Sequence, residues 1–292
     1  MSGTIASSTA VDLSRLPPPD VVEVLDYETI LADLRASLIA AVPGFDALLE
    51  SDPAIKLLEI VAFREVLLRQ RVNDGARAVM VAYATGADLD NLAALFGVTR
   101  LLTGTNTQED DDALRRRVLL APESYSVAGP AGAYIFHALS ADGDVLDAAA
   151  TSPAPGEVVV SLLSRTGDGT ASPALIAAVE AVVNDDGIRP LTDQVTVQSA
   201  TIIPFNVDAR LTLFPGPDAA LILASANASL DELLESQRRI GRDITRSALF
   251  AAIHVAGVQN VELVEPAADV LTGDTGAASI AGRSITVVGL DL

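Results

Sequence analysis

Along the first 120 residues, apolar side chains recur every three or four positions, the spacing that places them on one face of a helix. After Asp20 this rhythm is carried by Ile30, Leu34, Leu38 and Ala41, and Pro43-Gly44 closes it. A short helix over 45–50 is expected next. The strongest local pattern begins at Asp52-Pro53. The Asp carboxylate can accept from the free N–H groups of a first turn, and Pro at the first helical position loses no donor the helix needs. From 54 to 72, Leu57, Leu58, Ile60, Val61, Phe63, Val66, Leu67 and Leu68 cover well over half of the helical circumference. A helix with one side in water needs a single apolar stripe, so this one is expected to be packed by neighbours on at least two sides. The pattern can run through Gly75 to about Tyr83, roughly 30 residues or about 45 Å at the α-helical rise, a length that suits a bundle. Another helix is predicted from Asp88 to Phe96, with Gly97 as its stop.

Thr107 is expected to open a further helix, with Glu109, Asp110, Asp111 and Asp112 in the first turn and Arg115, Arg116 and Arg117 nearer the end. That charge order matches the helix dipole, and Thr107-x-x-Asp110 has capping-box spacing. Residues 1–20, with Leu16-Pro17-Pro18-Pro19, read instead as an extended arm.

After residue 121 the punctuation changes. A helix from Ala131 to Ala141 is followed by strand-like segments at 145–150 and 158–163 around a Pro-Ala-Pro-Gly turn. A helix starting at Pro173 runs to about Asn184, and extended segments follow around Val195 and Val197 and over 202–213. Then come helices 219–237 and 246–255, a strand over 258–264, a Gly-rich loop, and a strand over 284–288. Ile135-Phe136 aligns with Leu249-Phe250, and Gly143 with Gly257, at an offset near 114. Two related modules, or similar architecture without duplication, both fit. The expected fold class is α+β: an N-terminal all-helical bundle region followed by two small α/β modules of mixed sheet and helices. The expected division is an arm at 1–20, a helical domain at 21–120, and modules at 121–200 and 201–292.

Composition narrows the function. The 292 residues carry 39 acidic against 19 basic side chains, a net charge of −20. So acidic a chain is repelled by phosphate backbones and anionic lipid, and neither nucleic acid nor membrane is an expected partner. The longest uncharged run, 124–141, contains Gly129, Pro130 and Gly132 and makes a poor bilayer helix. No secretory signal is visible, which implies intracellular synthesis. With no Cys and only His137 and His254, thiol chemistry, iron–sulfur clusters and three-histidine metal sites are excluded. Half of the residues are apolar but only 4% are aromatic, so the core must be built of Ala, Val, Leu and Ile.

The remaining candidates for chemistry are sparse. Both histidines lie in apolar helical runs and are expected to be structural. The chain has no HExxH, GxSxG, Walker lysine or post-strand GxGxxG motif. Asp142, Asp144 and Asp147 around Gly143 have partial calcium-loop spacing without the closing Glu, so an acidic turn is expected. No metal or other cofactor is expected. A carboxylate-dependent enzyme using Asp142, Asp144 or Glu157 is the alternative reading, since one carboxylate of a buried pair can serve as acid and the other as base. Arg64, Glu65, Arg69, Arg71 and Asn73 interrupt the apolar helix. They form either a solvated stripe with small ion-pair terms or a polar set that fixes register inside a multi-helix interface.

Several segments, in order and at fixed spacing, carry a resemblance. They are 16–23 (LPPPDVVE), 51–54 (SDPA), Ala62-Phe63-Arg64-Glu65, 69–73 (RQRVN) and 82–90 (AYATGADLD). In these the chain resembles the baseplate assembly protein J family of contractile-tailed bacteriophages and related injection particles. The likeness is dense over about 16–120 and looser beyond. It implies a non-enzymatic wedge subunit of the tail baseplate, with no catalytic residues. Two copies would associate with another wedge protein through a helical bundle, and the C-terminal modules would meet neighbouring wedges to close a ring around the hub. The location implied is a phage tail or tail-like particle, assembled in the host cytoplasm. On this reading residues 53–84 supply the bundle helix. The interface candidates are Leu57, Leu58, Ile60, Val61 and Leu68, with the polar set Arg64, Glu65, Arg69 and Arg71. The charge divides as −7 over residues 1–120 and −13 over 121–292, so contacts between the modules would use less charged faces or arginine clusters such as Arg238, Arg239 and Arg242.

Overall fold

The computed structural model describes residues 13, 16–17, 19–44, 49, 52–104, 107–126, 128–216 and 218–290. The expected helix over 45–50 and most of the expected arm lie outside the described residues. The chain divides into two compact units, one spanning 11–99 and the other containing 100–292.

The first unit is helical. Helix α1 (Tyr27–Ala41) starts later than Asp20, because Asp26 is the residue that caps it: its carboxylate accepts from the N–H and the hydroxyl of Thr29. Helix α2 (Pro53–Ala78) begins as expected, with Asp52 accepting from the Ala54 N–H at 2.8 Å and Pro53 in the first turn. It ends at Ala78, short of the expected Tyr83, in turns over 79–83. Its 26 residues make a rod of about 39 Å. Helix α1 packs against α2, burying Ile55 and Ala62. The segment before α1 is fastened to the same side by Asn73, which donates to the Glu23 carbonyl (2.9 Å) and accepts from the Glu23 N–H (3.0 Å). Helix α3 (Gly86–Ala94) buries Leu89 and Ala93. Gly97, at φ +70°, ends that segment in a conformation an L side chain adopts only with strain.

The second unit opens differently from the expected helix start at Thr107. Leu102 and Gln108 form a bridge, and the Thr107 carbonyl accepts from the Thr103 N–H and hydroxyl. Helix α4 (Asp111–Leu120) is capped by Asp110, which accepts from the Ala113 N–H at 2.8 Å. An Asp three residues after Thr107 is too short to complete a capping box, and it serves better as the cap itself. Glu109 thus falls outside the helix and is buried. A 3-10 turn (Ala121–Tyr125) leads to α5 (Ala131–Ala141), against which α4 packs.

Two three-stranded mixed sheets follow, in keeping with the α+β class. The first has order β1-β2-β3, from β1 (Val145–Thr151), β2 (Glu157–Ser164) and β3 (Gln194–Ser199), with α6 (Pro173–Val183) between β2 and β3. Strands β1 and β2 are antiparallel, and β2 and β3 parallel. The core contains Ile135, Ala138, Leu175, Val179, Val160 and Leu162. The second sheet has order β5-β4-β6, from β4 (Thr201–Leu213), β5 (Val258–Glu265) and β6 (Gly276–Leu290), with α7 (Ala219–Gln237) and α8 (Arg246–Ile253) between β4 and β5. Strand β4 alternates cleanly from Phe205, turning 205, 207, 209, 211 and 213 inward onto both helices.

The second module is not a simple repeat of the first. Each sheet has a central strand with one antiparallel and one parallel neighbour, but the chain visits them in different order. In the first module a helix and the antiparallel edge (α5-β1) precede the central strand and its helix (β2-α6). In the second, the centre and its helix (β4-α7) come first and the helix-edge unit (α8-β5) second. The aligned Ile135-Phe136 and Leu249-Phe250 pairs mark these helix-edge units.

Strand β6 starts eight residues before the expected Ser284. Its parallel ladder with β4 begins at Thr201 and Gly276, where a side chain on Gly276 would meet the Thr272 carbonyl at 2.2 Å. Backbone pairing through Gly-Ala-Ala leaves no alternation for a sequence pattern to show.

Candidate assembly surface

Most of α2 is uncovered by the described residues. Successive residues advance about 100° around the helix, which places Ile55, Ala62 and Asn73 together on the side facing α1. Opposite them lie Leu57, Ile60, Val61, Leu67, Leu68 and Val72, and the side chains of Leu57, Leu68 and Val72 are 63%, 68% and 64% exposed. Phe63 is also exposed. A contiguous exposed apolar patch of this kind marks an interaction surface more often than an ordinary solvated face.

The nine interface candidates separate accordingly. Leu57, Ile60, Val61 and Leu68 are exposed, together with Arg64 and Arg71, whereas Leu58 and Glu65 are half-buried toward the α1 side. Arg69 is exposed but engaged within the chain, 2.7 Å from Glu65 and 3.3 Å from Glu23. The Glu65 carboxylate, and behind it Glu23, holds the Arg69 guanidinium above its ordinary pKa. Asn73, read from sequence as one more interruption of an apolar helix, is a buried clamp.

The carboxylates of the enzymatic alternative do not converge. Asp142 accepts from the Asp144 N–H at 2.8 Å, and Asp144 accepts from the Ser164 hydroxyl at 2.8 Å, at the last residue of β2. Glu157 is exposed at the first residue of that strand, seven positions and about 23 Å away. His137 is half-buried and edge-on to Phe136, with 5.4 Å between ring centroids, and burial lowers its pKa. His254 departs from expectation: it is the exposed C-cap of α8, because the helix stops at Ile253 before the histidine can turn inward. Among the described residues no cluster of three acidic or imidazole side chains could hold a metal ion, and no helix is long and apolar enough to cross a membrane.

The charges missed as a group by sequence reasoning form a buried pair beside α4 and a polar seam between the two α/β modules. Buried Glu109 receives Arg117 through Nε (2.9 Å) and Nη2 (2.5 Å), and also the Leu101 N–H. Asp147, the third aspartate of the presumed acidic turn, is buried within β1. It accepts from Arg116 (2.5 Å) and from the Ile240 N–H (2.9 Å) across the module boundary. Arg239 donates to the Leu146 carbonyl, and Arg238 to the carbonyls of Ser164, Arg165 and Gly167. Burial, and then repulsion from Arg116, lowers the Arg239 pKa. Two members of the cluster assigned to contacts between copies therefore work inside the chain, while Arg242 is exposed. Leu146, Leu163, Ala200, Ile240 and Ala277 form the apolar part of the same junction.

A broad apolar helix face left uncovered by the described residues and, in the other unit, two α/β modules joined to each other point to an assembly role. Sequence comparison agrees in detail: the chain matches the baseplate J-like N-terminal domain over residues 50–107, the central domain over 126–199 and the C-terminal domain over 205–286. It belongs to the baseplate J-like family and is in that sense a baseplate protein. Baseplate protein J of Escherichia phage P2 is 44% identical over 301 residues, covering 96% of this chain and 99% of that protein. A chain in the cryo-EM structure of the anti-feeding prophage baseplate, 6-fold symmetrised, superposes on 60% of this chain with a TM-score of 0.42 and 16% identity. This chain spans 42% of that one.

Proposed function

We propose that the chain is a structural wedge subunit of a contractile tail or tail-like particle, in which two copies join another wedge protein through a bundle containing α2. In this reading the α/β modules meet neighbouring wedges to close a ring around the central hub. The subunit is made and assembled in the host cytoplasm and works in the particle, without catalytic activity. Family membership sets the context, and the observation that carries the reading is the outer face of α2. Covering a large aliphatic side chain contributes about 1.5–3 kcal/mol, so burying Leu57, Ile60, Leu67 and Leu68 together would drive a stable association. The helix is apolar on two sides, and α1 covers one of them. None of the other described residues of this unit covers the second side, which supports a bundle completed by helices from other chains. The separation of Asp144 from Glu157 supports a non-catalytic role, and the net charge of −20 supports protein partners over nucleic acid or anionic membrane.

The test is co-expression with the tail genes encoded beside it, followed by native mass measurement. A heteromeric complex containing two copies is the expected outcome. Leu57→Asp with Leu68→Asp should abolish it while leaving the purified subunit folded, since both side chains are exposed. Leu58 is a poorer target because it is half-buried and its loss would disturb the α1–α2 packing. Normal particles from the Leu57/Leu68 variant would remove this face from the interface.

A further inference from the structure

We infer that the helix seated on the outer face of α2 belongs to a different protein and carries two carboxylates seven residues apart, paired with Arg64 and Arg71. This rests on the interface reading above and adds the chemistry of the occupant. Leu57, Ile60, Arg64, Leu67 and Arg71 follow one another at alternating spacings of three and four, the seam of a helix-on-helix contact. Val61, Leu68 and Val72 flank it on one side. The two arginines lie two turns apart, about 10.5 Å along the axis, in the middle of this otherwise apolar run, and both are exposed.

Two other cations on this helix are treated differently, while Arg77, in its last turn, lies outside the seam. Arg69 is paired with Glu65 and Glu23, and Lys56 with Glu59 at 2.9 Å. Among the described residues neither Arg64 nor Arg71 makes an ion pair or hydrogen bond. A guanidinium covered without an acceptor loses its hydration uncompensated. Any helix that buries Leu57, Ile60, Leu67 and Leu68 must therefore bring acceptors to these two positions.

A second copy of α2 does not supply them. In parallel it sets Arg64 against Arg64 and Arg71 against Arg71, a like-charge arrangement. An antiparallel copy can set Asp74 against Arg64, but it then sets Arg71 against Leu67, and the Asp74 carboxylate already accepts from Gln70 at 2.7 Å. The fitting occupant is an amphipathic helix of another polypeptide with its own apolar seam and Asp or Glu at positions i and i+7. Because this chain is itself acidic overall, net charge does not attract such a partner. Arg64 and Arg71 act as local selectors of partner and register.

The test uses the full chain co-expressed with the neighbouring tail genes and compares Arg64→Glu with Arg71→Glu against Leu57→Asp with Leu68→Asp. Reversing both arginines should weaken the heteromeric complex by about 100-fold or more, with the melting temperature of the isolated subunit unchanged. Suppressors should arise in the partner as Asp or Glu to Lys changes seven residues apart. The inference is overturned if the reversed variant assembles like the parent while the leucine variant fails, because the face is then used by a partner without carboxylates. It is also overturned if parent and reversed chains, mixed, bind each other more tightly than either binds itself, which identifies a second copy as the occupant. If both variants assemble normally, the interface reading falls together with this one.

Discussion

Single residues on this chain do work that their neighbours in sequence do not announce. Glu109 reads as one of four acids at a helix start, yet it lies one residue outside the helix cap and closes a buried pair with Arg117. The pairing goes with the contacts of Leu101 and Leu102 to Gln108 and Glu109, which no helical spacing encodes. His137 was legible as a packed side chain, and burial gives it a measurable consequence. Its folded pKa lies below the ordinary 6.5, so the unfolded chain takes up the proton first. The stability it contributes is complete above about pH 6.5 and declines as the pH falls toward the folded value. The melting temperature should therefore drop as the pH falls below about 6.5, and His137→Gln should flatten that drop. The carboxylates of Asp26 and Asp168 lie in a lower window. Hydrogen bonds from Thr29 and Thr170, respectively, hold them below 3.8, which keeps the two effects separable in a pH series of thermal melts.

At the scale of elements, α2 shows how far local signals reach. Asp52 and Pro53 mark its start because a cap is made by groups two or three residues apart, and the start falls where the sequence places it. The apolar width of the helix was equally legible. What could not be read was which part of that circumference the chain would keep for itself. Helix α1 takes the side of Ile55 and Ala62, and Asn73 turns from an apparent interruption into the fastening of the 21–26 segment. Asn73→Ala removes two hydrogen bonds to one backbone residue and should cost about 1–3 kcal/mol locally. Hydrogen exchange should show the Glu23 amide losing protection while amides inside α2 keep theirs. Equal loss along α2 would mean that Asn73 supports the helix itself.

For the whole molecule, the decisive feature is the junction between the two α/β modules. The chain passes from β3 to β4 through Ala200 alone, and Arg238, Arg239 and the Ile240 N–H reach back across the boundary to β1 and β2. Asp147→Ala leaves Arg116 without its carboxylate and the buried Ile240 N–H without its acceptor. A loss of about 1–3 kcal/mol is expected, the cost of leaving the buried Ile240 donor unsatisfied and a part-buried guanidinium unpaired. Calorimetry should show one joint transition of the modules in the parent and two separate transitions in the variant. A single transition shifted downward would place the coupling in the apolar contacts of Leu146, Leu163 and Ile240 instead.

The sequence by itself determined the helices and strands from 111 onward to within a few residues, apart from the start of β6, as well as the cap of α2, the Pro173 start of α6 and the family. Capping, periodicity and turn chemistry act between near neighbours, and family motifs are strings. Only the tertiary structure decided the order in which the chain visits each sheet and the destinations of Glu109, Asp147, Arg238 and Arg239. It also decided which face of α2 stays open around Arg64 and Arg71. These outcomes depend on partners tens of residues away, and a charged side chain has the same local signature whether it ends in water, in a buried pair or at a surface awaiting another chain.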